Sequence, residues 1–396
     1  MAAPSADVAR LGGRIERAHA GIGVYQVRGG ANVAAELRKR PDVEAVVKDR
    51  TVQWLPPSRV TASQKFRANS NQRGAQFFDV FQWNIKKIFA QRAWNVSNQG
   101  AGVTVCVLDS GIDPRHIDLE GKLDLGISAS FVANERADRD FRGHGTYMAS
   151  IITSNGIGVA SVAPDARVCS VKVLDRNGSG NFGDVITALM YVGELRIDVV
   201  NMSFGALVPR NAPGVQPLVR ALQRAANFAA NRGVLMVASA GNESANLNNP
   251  DLISIPAQLD HVISVGATGP IGQRQFDHVA SYSNIGRAGV DVFAPGGEDV
   301  FPANVLQDLI LGACSASFRG PIACDDGITF FFADGTSQSA AHVTGEAAVI
   351  EAELPGDQTP AELTACILRT ADPLPLPNRT ANGRINVFEG QACNAS

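Results

Sequence analysis

Asp109, His144 and Ser337 are of the three residue types that together turn a serine hydroxyl into a nucleophile. The hydroxyl alone is weak. An imidazole must take its proton, and a carboxylate must hold that imidazole in the right tautomer. Ser337 stands in Gly335-Thr336-Ser337-Gln338-Ser339-Ala340-Ala341-His342-Val343, a glycine turn that leads into small residues. Glycine tolerates the tight turn, and a hydroxyl at the start of the following helix lies in the positive end of its dipole. Gly-Thr-Ser also caps ordinary helices, so this segment alone leaves nucleophile and cap open. Asp109 closes the apolar stretch Val103-Thr104-Val105-Cys106-Val107-Leu108, with a turn at Gly111 behind it. His144 opens Gly143-His144-Gly145-Thr146-Tyr147-Met148-Ala149-Ser150, another small-residue helix. Singly, a turn aspartate and a packed histidine compete with the chemical reading; jointly the three have the order of a proton-relay set.

The elements that must position them alternate along the chain. Strands are expected at 103–109, 167–173, 197–202, 234–240 and 261–266, apolar on both faces as a covered parallel sheet requires. Helices are expected at 144–154, 184–195, 215–231, 337–353 and 360–370. The last begins Thr359-Pro360-Ala361-Glu362, a capping box with proline at the first helical position. Such alternation implies an α/β sandwich with a mainly parallel sheet. Asp109, His144 and Ser337 then fall at strand C-termini and helix N-termini, where such folds place their chemistry. Residues 1–54 differ: a strand over Gly21 to Arg28, a helix around Val33–Leu37 ended by Pro41-Asp42, and a strand over Val43 to Val52. Residues 55–76, with Pro56-Pro57 and many Ser, Asn, Gln and Arg, read as a mobile linker. Residues 298–330 read as an irregular insertion.

Several further motifs carry a resemblance. Trp83 to Trp94, Val171-Lys172-Val173-Leu174 with Asn177-Gly178-Ser179-Gly180, Asn201-Met202-Ser203-Phe204-Gly205, Ala238-Ser239-Ala240-Gly241-Asn242-Glu243 and Asp291-Val292-Phe293-Ala294-Pro295-Gly296 stand in order around the three residues. With the order Asp, His, Ser, they make residues 83–390 resemble a subtilisin-like serine protease, a subtilase. The resemblance implies a three-layer α/β sandwich and a serine endopeptidase with Asp109, His144 and Ser337 as its triad and an acyl-enzyme intermediate. Asn242 is the implied oxyanion donor. Ser179, Gly180, Asn181, Ser203, Phe204, Gly205, Ala240 and Gly241 are implied to bind substrate, the peptide adding as a strand between two edges. Broad specificity follows as an expectation. Residues 1–54 resemble the second half of an inhibitor-type propeptide, a small α+β unit whose first strand and helix are not evident; 55–82 would carry the maturation site, and 83–396 the peptidase. Tyr147, Gln338, Ser339 and Ala341 depart from the common family pattern and are expected to be tolerated packing changes; Ala206 stands where many relatives have glycine, which implies a differently shaped primary pocket near 240–241.

Composition narrows the partners. The formal charge is −3, from 35 Lys and Arg against 38 Asp and Glu, which gives no basic surface for nucleic acid or an anionic membrane. No apolar run is long enough to span a bilayer. The expected partners are polypeptide substrates and the chain's own propeptide, the protein acting as a secreted monomer. No secretory leader is visible, so a sequence shortened at its N-terminus is expected, with a leaderless intracellular processing enzyme as the rival. A second rival keeps the fold as a peptide-binding scaffold; the intact Asp109, His144, Asn242 and Ser337 speak against it. Cys314/Cys324 and Cys366/Cys393 are plausible bridges, though sequence leaves the connectivity open, and Cys106 and Cys169 read as buried thiols. No cofactor is needed for the chemistry. Structural calcium is implied by the resemblance but no ligand set is identified; Asp113, Asp118 and Asp140 read as solvated or turn residues.

Overall fold

The alternation seen in the sequence builds one large sheet with helices on both faces. The computed structural model describes residues 4–56, 62–65, 75–300, 305–324, 326–354, 358–374 and 382–393. In the sheet the strands run, side by side, Asp372–Pro373, Gly383–Arg384, Val292–Pro295, Val262–Thr268, Leu235–Ser239, Val199–Met202, Thr104–Asp109, Arg167–Lys172 and Ala129–Ser130. Every neighbouring pair is parallel except the first. All five expected strands and all five expected helices of the sandwich are present.

Side-chain alternation divides the core into two layers. Val105 and Val107 pack with Met148, Val343 and Ala347 on one face, under the helices His144–Ile152, Thr336–Glu353 and Pro360–Thr370. Cys106 and Leu108 point to the other face, against Val185, Leu189, Leu222 and Ala226 of the helices Phe182–Leu195 and Val215–Ala230. The strand Thr104–Asp109 has Arg167–Lys172 on one side, with Ala129–Ser130 beyond it, and Val199–Met202 on the other. That is where the winding reverses, the place at which open parallel sheets leave a crevice beyond their strand C-termini. Asp109 is its last residue.

Three expectations are corrected. Cys106 and Cys169 are a disulfide, not thiols: in-register pairing of their parallel strands brings the Cα atoms to 4.5 Å. The other two bridges are as expected, Cys314–Cys324 and Cys366–Cys393. The span 298–330 is more regular than its sequence suggests. Its strand Ile310–Ala313 pairs with Thr329–Ala333, and that strand pairs in turn with Ser63–Lys65 from the span read as a linker. Asp113, Asp118 and Asp140 are fully buried rather than solvated.

The N-terminal unit contains a helix, Pro4–Arg10, and a strand, Arg14–His19, ahead of the expected strand and helix, which run Val24–Arg28 and Ala31–Arg38. The two strands form an antiparallel pair. Of the strand expected over Val43 to Val52, only Thr51–Gln53 forms, because its partner edge is three residues long. The linker positions 57–61 and 66–74 lie outside the described residues.

Candidate active site

Two glycines set the turns on which the predicted residues stand. Gly145 follows His144 at the start of its helix, and a Cβ there would lie 2.1 Å from the Gly111 carbonyl oxygen. Only glycine lets this helix sit on the loop after Asp109. His144 Nδ1 consequently reaches both Asp109 oxygens, at 2.9 and 2.8 Å. Asp109 is held in turn by the Ser110 backbone N–H at 2.7 Å and the Ser110 hydroxyl at 3.0 Å. Its side chain is buried, whereas that of His144 is 18 % exposed. Gly335, at φ +152°, makes the turn into the serine helix. Small residues let that helix run through the core: Gly345 passes Val162 so closely that a Cβ would come within 2.5 Å of its Cβ.

Ser337 is the second residue of its helix and is 7 % exposed. Its hydroxyl donates to the Ser203 carbonyl at 2.7 Å, while the Ser203 hydroxyl donates to the Ser337 carbonyl at 2.8 Å. This reciprocal pair ties the serine to the Ser203–Gly205 edge. Asn242 Oδ1 accepts from the Thr336 backbone N–H and hydroxyl at 2.9 and 2.8 Å, which orients the amide. Its Nδ2 lies 3.5 Å from where a Cβ on Gly335 would stand, beside the serine turn. Ala240 is buried, its carbonyl accepting from Ser254 Oγ at 2.8 Å and Asn284 Nδ2 at 2.9 Å, and Gly241 takes φ +108°. Thus Ala240-Gly241-Asn242 and Ser203-Phe204-Gly205 wall the region around Ser337.

The other edge, Ser179–Asn181, carries a passenger: Thr51–Gln53 of this same chain lies against it as an antiparallel strand. Trp54 N–H and Leu55 N–H both donate to the Gly178 carbonyl at 3.1 Å, and the Gly205 N–H donates to the Trp54 carbonyl at 3.4 Å. The segment therefore bonds to both edges. The Trp54 indole is 2 % exposed, meets Phe182 and Phe204 edge-on with centroids 5.1 and 5.5 Å apart, and donates to the Gly180 carbonyl at 3.0 Å.

Sequence reading missed Asp140. Its Oδ1 accepts from Gly143 N–H and Ser110 Oγ, both at 2.8 Å, and its Oδ2 from Thr146 N–H and Oγ1 at 2.9 and 2.7 Å. It thus ties the start of the histidine helix to the residue after Asp109. Burial pushes its carboxyl up, opposed by the Lys172 cation and the Thr146 donors. The available signal was an aspartate three residues before the glycine that opens a helix lacking a Ser or Thr cap. Lys172 was missed too: fully buried, it pairs with Glu135 at 3.0 Å and donates to the Ser110 carbonyl. Tyr147 packs on Phe331 at 4.6 Å and donates to the Ile310 carbonyl at 2.6 Å, filling core.

Residues 100–391 match the Subtilase family. The chain belongs to that family. This subtilase is 34 % identical over 306 residues to Subtilisin Savinase of Lederbergia lenta, covering 77 % of this chain and 96 % of that one. It is 29 % identical to thermitase of Thermoactinomyces vulgaris over 319 residues, 79 % and 96 % of the two chains. It is 31 % identical over 299 residues to the thermophilic serine proteinase of Bacillus sp. (strain AK1), which covers 75 % of this chain but only 63 % of that one's length. Among solved structures, the epidermin leader peptide processing serine protease of Staphylococcus aureus overlays with a TM-score of 0.79 over 98 % of this chain and 94 % of its own; at 19 % identity the likeness is one of fold. Subtilisin-like serine proteases are hydrolases. Among the described residues no helix is long and apolar enough to cross a membrane.

Proposed function

We propose that this subtilase is a serine endopeptidase that cleaves polypeptides through Asp109, His144 and Ser337. The observation that carries the reading is the seat of His144, with Nδ1 on both Asp109 oxygens and the ring partly exposed. Asp109 fixes the tautomer with its proton on Nδ1, so Nε2 is the base. The Ser337 hydroxyl leaves the Ser203 carbonyl, gives its proton to Nε2 and attacks the scissile carbonyl. Asn242 Nδ2 donates to the resulting oxyanion. Collapse of the tetrahedral species breaks the C–N bond, the imidazolium protonates the leaving amine, and the acyl-enzyme is then hydrolysed by water. Among the described residues no group of three or more His, Cys, Asp or Glu side chains is placed to hold a metal ion, and no step here draws on one.

Substrate adds as a strand where Thr51–Gln53 now lies. Main-chain bonding to Ser179–Asn181 and Ser203–Gly205 makes little demand on sequence, hence broad specificity, with a preference for an aromatic side chain in the Phe182–Phe204 slot. Residues 1–54 act as an inhibitory propeptide, a cut within 55–82 releases the enzyme, and the protein works as a secreted monomer. Casein digestion by the matured protein beside a Ser337→Ala control tests the activity: proteolysis lost in the variant is expected, and equal proteolysis by both would overturn it. N-terminal sequencing of active material tests maturation; an active chain retaining Met1 would contradict the cut.

A further inference from the structure

Between Cys314 and Cys324, bonded with Cα atoms 5.7 Å apart, the chain folds into a short loop that touches the segments of all three proposed triad members. Toward Asp109, Ser315 Oγ donates to Asp113 Oδ2 at 3.1 Å, and Arg115, itself paired with Asp113, donates to Ser317 Oγ at 2.9 Å. Asp113 N–H in turn donates to Thr146 Oγ1 of the histidine helix at 3.0 Å. Toward His144, Arg319 N–H donates to the Phe141 carbonyl at 3.0 Å. The Phe318 ring covers Gly143, the residue before the histidine; a Cβ at 143 would stand 2.9 Å from Cδ2 of that ring. Toward Ser337, Phe318 stacks on Phe331 with planes 4° apart and centroids at 6.0 Å. Phe331 belongs to the strand Thr329–Ala333, which ends four residues before the serine.

The loop is itself stiff. Phe318 N–H closes a turn on the Ser315 carbonyl at 2.9 Å, Ser317 N–H bonds Ser315 Oγ at 3.0 Å, and Phe318 is 7 % exposed. A rigid body bonded to the Asp113 and Phe141 segments and stacked on the Phe331 strand fixes their mutual distances. We propose that the Cys314–Cys324 loop, with Phe318 as its wedge, is a positioning element that holds the His144 segment in register with Asp109 and Ser337 and thereby raises kcat. The inference rests on the triad reading above. Phe318 touches no reacting atom; its ring acts on the imidazole through Gly143, while the Arg319 N–H holds Phe141.

The test uses the full chain after maturation, in Phe318→Ala, Phe318→Leu and the double variant C314S/C324S. Active sites are first counted by fluorophosphonate titration, and kcat and KM on a soluble peptide amide are then measured per titrated site. Misplacement by about 1 Å can cost about 10²-fold, and a loosened loop should shift the ring by less, so Phe318→Ala should lower kcat about tenfold with KM within about twofold. Phe318→Leu should recover most of that loss, and C314S/C324S should fall with Phe318→Ala. Unchanged kcat per site in these variants, with only fewer titratable sites or a lower melting temperature, would make the loop a stabiliser and overturn the proposal. So would a raised KM at constant kcat, which would make it part of the substrate cleft. Should Phe318→Ala fail to fold, C314S/C324S decides by the same readout. A wild-type protein that takes up no fluorophosphonate would strike at the triad reading itself.

Discussion

The peptidase domain and the N-terminal unit are built on different terms. The serine helix is buried at 15 of its 18 residues, and the strands beneath it are covered on both faces. Residues 4–55 bury four hydrophobic side chains among those described: Val8, Val33, Trp54 and Leu55. Two of these four lie in the cleft of the other domain. The rest of the contact is partly exposed: Ile22, Val24 and Val52 pack against the peptidase core, His19 meets Thr187 at 3.0 Å, and ion pairs join Arg17 to Asp184 at 2.6 Å and Glu44 to Arg220 at 2.8 Å. Such pairs contribute at most about 1 kcal/mol each. Under the proposed maturation the difference separates a platform that must keep a geometry from a plug that must leave, with the Trp54 indole as its largest buried side chain.

The platform side breaks first at the base. His144→Ala should lower kcat by about 10⁶-fold, a magnitude taken from subtilisin, a member of this family, rather than from this chain; a loss below about a hundredfold, by kinetics on a peptide amide, would deny His144 its role. Asn242→Ala should cost about 10²–10³ in kcat with KM nearly constant, again a scale set by subtilisin. A matching rise in KM instead would move Asn242 from the oxyanion to substrate binding.

On the plug side, truncating a buried tryptophan costs about 3–5 kcal/mol. In a Ser337→Ala background, where the chain stays uncut, Trp54→Ala should speed hydrogen exchange at the Leu55 amide by about 10²-fold or more. Equal protection in both proteins would show that the remaining contacts, not the indole, hold the segment.

The smallest effect concerns the buried floor of the platform. Burial pushes the Glu346 carboxyl up to about 8, against the pull of the Asn386 backbone donor and Arg384, with Asp372 adding to the rise. Its ordinary value is about 4.5. Between these values the unfolded chain has lost a proton that the folded chain keeps, so stability falls as pH rises through this window and levels off above 8. Glu346→Gln should flatten that decline, read as the change in guanidinium midpoint between pH 5 and pH 9. An identical decline in wild type and variant would place the titration elsewhere.

Much of this was legible because the motifs are local. Asp109, His144 and Ser337 each sit where a strand ends or a helix begins, and strand period, glycine turns and small-residue helices are written in consecutive residues. What stayed hidden depends on which segments become neighbours. Cys106 and Cys169 look like two apolar thiols until strand register sets them side by side. Asp140 reads as a turn residue until the histidine helix turns its N–H groups toward it. The Pro4–Arg10 helix and the Ile310–Ala313 strand carry weak periodicity, and the latter is defined by its pairing with Thr329–Ala333. The passenger at Thr51–Leu55 is legible only once both edges exist to receive it.

The most direct test of the account is to react the matured protein with a fluorophosphonate and map the adduct by peptide mass spectrometry. A single adduct on Ser337, absent after His144→Ala, is the result expected from an imidazole-activated serine. An adduct on another serine, or equal labelling of Ser337 with and without His144, would contradict it.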